Sequence, residues 1–239
     1  MRSHCKKYWT SLSFSVALFS CMTAQNTVTV SERVATSGIN YTVISWKNAS
    51  LDWTIERPDK SDENVLLSIA GAFTQLENNR IDGAFVDDGD HFHKSRKNTR
   101  LGGACIIRNG QLELPDTKSE LPITDSLLKR VAADGGDLFQ QILCVIDGKA
   151  EGFRDTKVFQ RRAIVLMKDG SAQVIETVEP TTLRQFSLDL VELGVWRALY
   201  TDMGAWDEGW ARTQTGIRTL GQMRSATDRQ SNWFVVRSN

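Results

Sequence analysis

The chain has 239 residues, enough for one large domain or two small ones. Its 29 Lys and Arg balance 29 Asp and Glu, so the formal net charge is zero and no global field draws in nucleic acid or an acidic membrane surface. A chain that is 41% hydrophobic and 24% charged has the composition of a globular protein, which excludes a disordered or fibrous one.

At the N-terminus, Arg2, Lys6 and Lys7 precede an apolar run at 12–22, followed by Thr23-Ala24-Gln25. A basic start, a short apolar core and a small-residue exit make residues 1–24 a secretory signal peptide and leave 25–239 as the mature chain. The apolar core is too short for a stable membrane-spanning helix, so no transmembrane segment is expected in that mature chain. Cleavage after Ala24 gives a periplasmic or secreted protein. Leu18-Phe19-Ser20-Cys21 also resembles a lipoprotein cleavage box, which would put a lipid anchor on Cys21. Either route predicts export. Cys105 and Cys144 remain, each within an apolar, strand-like run. A disulfide suits an exported chain and a pair of buried thiols suits the burial habit of cysteine, so both stay open.

Strands are predicted at 27–30, 41–46 and 51–55, where apolar and polar residues alternate, and a polar break with Pro58 follows. The apolar run 65–70 reads as a buried strand ending at Gly71. Residues 75–90 are polar and dotted with glycine, as expected of an excursion beside a site. Strands at 104–108 and 111–114 flank Asn109-Gly110, a pair suited to a tight type I′ turn. A helix is predicted over 124–133, with Leu127, Leu128 and Val131 inward and Gly135-Gly136 closing it. A strand at 142–146 turns at Asp147-Gly148. A second hairpin joins 162–167 to 172–177 through Asp169-Gly170.

Leu183, Phe186, Leu190 and Leu193 recur at helical spacing, with Thr181 or Thr182 available as a cap and Gly194 at the exit. The strand 195–200 then delivers Asp202, and a last strand is predicted at 233–237. Two helices among eight to ten strands, joined by hairpins, predict an α+β fold of mainly antiparallel or mixed sheet in a single domain.

The segment 202–210 packs three carboxylates, two glycines and two tryptophans into nine residues. A carboxylate at the end of a strand is held rigidly, so Asp202 is the leading functional candidate. Asp207 and Glu208 are secondary ones, and Trp206 or Trp210 could stack on a sugar face. Gln140 and Gln141 could hydrogen-bond a ligand hydroxyl. Asp87-Asp88-Gly89-Asp90-His91-Phe92-His93 has alternate histidines that could hold zinc with a third ligand from elsewhere, although a hydrophilic loop explains the same residues. No nucleophile elbow and no phosphate-cradling glycine loop is present, and no motif calls for a cofactor.

Three of these segments, in this order, resemble the phosphodiester glycosidase family. Ser68-Ile69-Ala70-Gly71-Ala72-Phe73 is similar to a strand-end motif of an Asn followed by small residues and Phe. Arg162-Ala163-Ile164 with its Asp169-Gly170 hairpin is similar to the family's Arg-Thr-Ala-Ile segment. The helix at 183–193, Gly194, the strand and Asp202-Met203-Gly204 are similar to the helix leading into Leu-Asp-Gly-Gly-Gly-Ser. This chain departs at Ala70, where the family has Asn, and at Met203 to Trp206, where it has glycines and serine. The resemblance implies a hydrolase cleaving a sugar from a phosphodiester or related glycan, with Asp202 as the carboxylate and Arg162 as the phosphate clamp. It also implies that Gly71 and Gly204, within the matching motifs, contact the carbohydrate or sugar-phosphate ligand, and Trp206, Asp207 and Gln141 join them as expected ligand contacts on their own chemistry. A non-catalytic glycan-binding protein of the same fold, or a metal-dependent phosphoesterase using His91 and His93, are the alternatives.

Overall fold

The computed structural model describes residues 28–91 and 96–239. The expected signal peptide, Cys21 and His93 lie outside these residues. All strands pair antiparallel, in three sheets.

The first sheet has seven strands. In spatial order they are β1 (Val28–Val34), β2 (Asn40–Trp46), β13 (Ala172–Thr177), β12 (Arg162–Met167), β14 (Val195–Tyr200), β10 (Leu143–Ile146) and β11 (Lys149–Ala150). The second runs β16 (Gly216–Thr219), β15 (Trp210–Thr213), β4 (Val65–Ala70), β17 (Trp233–Ser238) and β3 (Ala49–Thr54). The third runs β6 (Asp90–His91), β5 (Phe85–Asp87), β9 (Asp137–Gln141), β7 (Gly103–Arg108) and β8 (Gln111–Glu113).

One core is shared by all three sheets. Ile44, Ile164, Val174 and Leu199 from the first meet Trp53, Leu67, Ile69 and Phe234 from the second and Cys105, Ile107 and Phe139 from the third. Trp53 is fully buried and stacks on Phe139 at 5.4 Å between centroids. Truncating such a side chain to Ala costs about 3–5 kcal/mol, because the transferred surface and the cavity add.

Each helix covers an outer sheet face. Helix α1 (Asp125–Ala133) places Leu127, Leu128 and Val131 on Val86, Ala104, Ile106 and Leu138 of the third sheet. Thr124 caps it by accepting from the Leu127 amide at 3.1 Å. Helix α2 (Leu183–Glu192) sets Leu183, Phe186 and Leu190 on Val43, Ala163, Val165 and Ala198 of the first sheet. Of the two candidate caps, Thr182 is the one that accepts from the Gln185 amide. Gly194 takes the left-handed φ of 87° just past the last turn. Inside α2, buried Asp189 accepts from the Tyr41 hydroxyl at 2.6 Å and the Ser37 hydroxyl at 2.7 Å, fastening helix to sheet.

The α+β expectation is corrected. The protein is a mostly antiparallel, largely β-sandwich structure in which two helices of 9 and 10 residues serve as outer covers. The sequence pattern undercounted strands because β5, β6, β11, β15 and β16 have only two to four residues, too few to show alternation. β5 lies inside the polar stretch 75–90 that reads as a loop. Cys105 and Cys144 are free and buried, one in the third sheet and one in the first, which closes the disulfide alternative.

Candidate functional site

Three strand ends meet at the site. The amide of Asp202, just past β14, donates to the Gly71 carbonyl just past β4 at 3.0 Å. The amide of Thr201 donates to the carbonyl of Arg162, the first residue of β12, at 3.1 Å. Residues 71, 162 and 202, far apart in sequence, are therefore joined through the backbone. A pocket of about 140 Å³ opens there, with Asp202, Thr74, Leu76, Trp206, Asp207 and Gln230 in its wall.

Asp202 is the unusual group in this wall. Its Oδ2 accepts from the Thr74 amide at 3.0 Å, and no Lys or Arg among the described residues pairs with it. The residue is half-buried in the pocket wall. Burial pushes the carboxyl up to about 7, the Thr74 amide works against this, and the neighbouring Asp207 charge adds to the rise. At neutral pH both protonation states of Asp202 are populated, which is what a proton-transferring group needs.

Arg162 sits differently from the expectation of a phosphate clamp. It is fully buried, with Nη1 and Nη2 each 2.8 Å from an oxygen of Asp207 and Nε 2.7 Å from Glu176. Burial lowers the affinity of this guanidinium for its proton, but the Asp207 and Glu176 charges outweigh it and hold Arg162 firmly cationic. A guanidinium whose fork is filled by two buried carboxylates does not grip a ligand, so the clamp role is corrected to an internal one. Glycine makes this packing possible. A Cβ on Gly209 would lie 2.8 Å from Arg162 Nη2, and one on Gly221, which has φ 76°, would run into Asp207 Oδ2.

The other expected contacts divide. Trp206 and Asp207 line the pocket, although Asp207 spends both oxygens on Arg162. Gly204, at φ 127°, shapes the loop and accepts from the Asp207 amide at 3.2 Å. Gly71 is buried and tight for an internal reason, since a Cβ would come within 2.8 Å of Trp53 Nε1 and 2.9 Å of Asn232 Oδ1. Gln141 is fully buried behind it, donating to the Gly71 carbonyl at 3.4 Å and accepting from the Ile142 amide, so it supports the turn from the rear. Glu208 points away to Arg57 and Lys60 at 2.6 and 3.0 Å. The histidine cluster ends outside the described residues. Within them, the Asp88 amide donates to Asp137, the Asp87 carboxylate accepts from the Ile55 amide, and no group of three or more His, Cys, Asp or Glu is placed to hold a metal.

Several site residues carry no sequence signal. Asn232 accepts from Trp53 Nε1 and the Ala72 amide and donates to the Ala72 carbonyl, locking the 71–73 turn to β17. Gln230 accepts from the Glu208 amide at 2.7 Å and lines the pocket. Arg229 stacks over Trp206, with its guanidinium carbon 3.8 Å from the ring centroid. Glu176 did leave a trace. The Asp169-Gly170 turn fixes a register in which Arg162 faces Glu176 directly, an opposite-charge cross-strand pair.

No protein-family model matches the sequence, and no curated protein matches it. Among solved structures, the fold is similar to the zebrafish N-acetylglucosamine-1-phosphodiester alpha-N-acetylglucosaminidase catalytic domain auto-inhibited by its pro-peptide. The TM-score is 0.56 at 11% identity, covering 90% of this chain and 83% of that one. It is also similar to a hypothetical protein from Synechocystis, with a TM-score of 0.55 at 12% identity, covering 89% of this chain and 62% of that one. At these identities the likeness is one of fold: the chain shares its architecture with the catalytic domain of a phosphodiester glycosidase.

Proposed function

We propose that this protein is an exported glycosidase-like hydrolase acting on a sugar phosphodiester or related glycan, with Asp202 at the reacting centre. The observation that carries this reading is a cation-free carboxyl, raised to about 7, in the wall of a pocket where three strand ends converge. The zebrafish neighbour, by its name, acts on an N-acetylglucosamine-1-phosphodiester, and this supports the substrate class. The basic and apolar start of the chain supports export.

In the proposed reaction, water attacks the anomeric carbon and the bond from that carbon to the phosphate oxygen breaks. The phosphate leaves with the electron pair, and Asp202 takes the proton from the attacking water. Phosphate is a weakly basic leaving group, so one positioned carboxylate suffices where other glycosidases need two. Asp207 is fixed by Arg162 as a second carboxylate in the wall, and its charge keeps the Asp202 carboxyl basic enough to accept that proton. Arg162 is thus a positioning residue.

A glycan-binding role without turnover is the second reading. It is favoured by the pocket's about 140 Å³, small beside the ~300–1,000 Å³ of ordinary ligand sites. Incubating purified protein with N-acetylglucosamine 1-phosphodiesters of simple alcohols separates the two. The enzyme reading expects release of sugar by the wild type and a loss of about 10²-fold or more in Asp202→Asn. Saturable binding with no turnover in the wild type would replace it with the binding reading.

A further inference from the structure

With Arg162 enclosed, the pocket's anion-recognising group must lie elsewhere, and one cation is built into its rim. Arg229 lies in the 3-10 turn Thr227–Arg229, immediately before the pocket residue Gln230. Its guanidinium is parked on the Trp206 ring at 3.8 Å. Nε and Nη2 donate to Asn79 Oδ1 at 3.1 and 2.8 Å, and Nη2 also donates to the Leu76 carbonyl at 2.9 Å. Trp206 and Leu76 are themselves pocket walls, so the guanidinium rests against two residues that line the pocket.

Arg212 and Arg224, like Arg229, donate only to neutral oxygens, and what separates Arg229 is that its partners Trp206 and Leu76 are walls of the pocket. Arg57, Arg162 and Arg197 each neutralise a carboxylate. Among the described residues, Arg229 has no carboxylate within ion-pair distance, only an amide oxygen, a carbonyl oxygen and a π face. Its orientation is fixed by neutral groups while its charge stays uncompensated. That is a preorganised cation, because an arriving anion meets a full charge without having to displace a carboxylate or reorganise the side chain. Nε and Nη2 are held by Asn79 and Leu76, and Nη1 has no hydrogen-bond partner among the described residues, so its two N–H groups are the edge left for an anion's oxygens.

We propose that Arg229, held by Trp206 and Asn79, is the residue that binds the phosphate of the ligand at this pocket. The inference rests on the phosphodiester reading for its substrate class but not for its test. It also gives the loop 202–207 a second purpose: Trp206 orients the cation while Asp202 faces the reacting carbon.

Calorimetric binding tests it, with Asp202→Asn protein as the background so that turnover does not enter. The probes are N-acetylglucosamine 1-phosphate, glucuronate and neutral N-acetylglucosamine. The expected result is that Arg229→Gln weakens the sugar phosphate about tenfold or more, the scale of one charge-assisted hydrogen-bond set, and leaves the neutral sugar unchanged. Arg229→Lys, which keeps charge but cannot hold Asn79 and Leu76 while also presenting N–H groups to the anion, should recover only part of the loss. Asn79→Ala, which frees the side chain without removing it, should weaken the same probe by less. A loss shared equally by phosphate and neutral sugar, with a lower Tm, would make Arg229 a structural staple and overturn the proposal. So would unchanged phosphate affinity in Arg229→Gln, tighter binding of glucuronate than of the sugar phosphate, or no binding of the sugar phosphate at all. If phosphate binding depends on Arg229 while the wild type hydrolyses nothing, the enzyme reading fails and this inference stands. Normal hydrolysis by an Arg229→Gln protein would give the reverse outcome.

Discussion

Asp202, Asp207 and Glu208 occupy one short loop, yet the fold gives each carboxyl a different electrical setting. Asp207 is buried and closed in a two-oxygen embrace by Arg162, while Glu208 turns outward to Arg57 and Lys60. Asp202 accepts hydrogen bonds from Thr74 and Met203 but pairs with no cation among the described residues, and burial leaves its carboxyl near 7. In the proposed reading, function comes from the acid the structure declines to neutralise. The paired ones build the wall that makes that possible. Asp137 sharpens the point, since burial also pushes it up to about 7, but it accepts the Trp53 and Asp88 amides and lies away from the pocket. A raised carboxyl becomes a candidate only where a cavity meets it.

The largest effect should come from breaking the paired side. Arg162→Ala leaves two buried carboxylates without their cation, and about 3–5 kcal/mol of stability should be lost in denaturant unfolding. Arg162→Lys should recover little of this, because an ammonium cannot make the two-oxygen pair with Asp207 and reach Glu176 at once. If Arg162→Ala kept its stability and lost only phosphate affinity, the clamp expectation would return.

On the unpaired side, Asp202→Asn should lower turnover by about 10²–10⁴-fold while the folded fraction holds, as read from rates beside melting curves. Unfolding of this variant with normal activity per folded molecule would make Asp202 a turn cap. A smaller effect is expected at Gly221, where φ is 76° and a Cβ would collide with Asp207 Oδ2. Gly221→Ala should cost about 1–3 kcal/mol, and a neutral outcome would mean that the ion cluster is softer than its packing indicates.

The pH dependence is subtler. Asp202 and Asp137 each bind a proton more tightly folded than unfolded, where an Asp titrates near ~3.9. The stability they provide is therefore full below about 4 and is lost as pH rises through about 7. Asp137→Asn should flatten that slope in pH-resolved unfolding and leave turnover alone. Asp202→Asn should flatten it and lower turnover as above. Loss of turnover in Asp137→Asn would erase the distinction between the two carboxyls.

Much of this was readable from local chemistry. Asn109-Gly110 adopts φ of 51° and 72° and seats Arg108 opposite Gln111, as a type I′ turn requires. The apolar spacing of α2, its Thr182 cap and Gly194 led directly to the strand that delivers Asp202. What local chemistry hides is long-range pairing. Asn232, Gln230 and Arg229 sit in a polar stretch without periodicity, and they reach the site because β17 pairs with β4. Arg162 was misread for the same reason, since an arginine's role depends on which carboxylates the register and a distant loop bring to it. Short strands such as β5 and β11 took their residues from segments that look like turns, and so the sheet content was underestimated.

The most direct test of the central claim is the pH profile of single-turnover cleavage of an N-acetylglucosamine 1-phosphodiester by wild type, Asp202→Asn and Asp137→Asn. The account predicts a rate that rises with pH through a limb near 7 in the wild type and in Asp137→Asn. That limb should be missing from the residual rate of Asp202→Asn. An unchanged limb and rate in Asp202→Asn would contradict it.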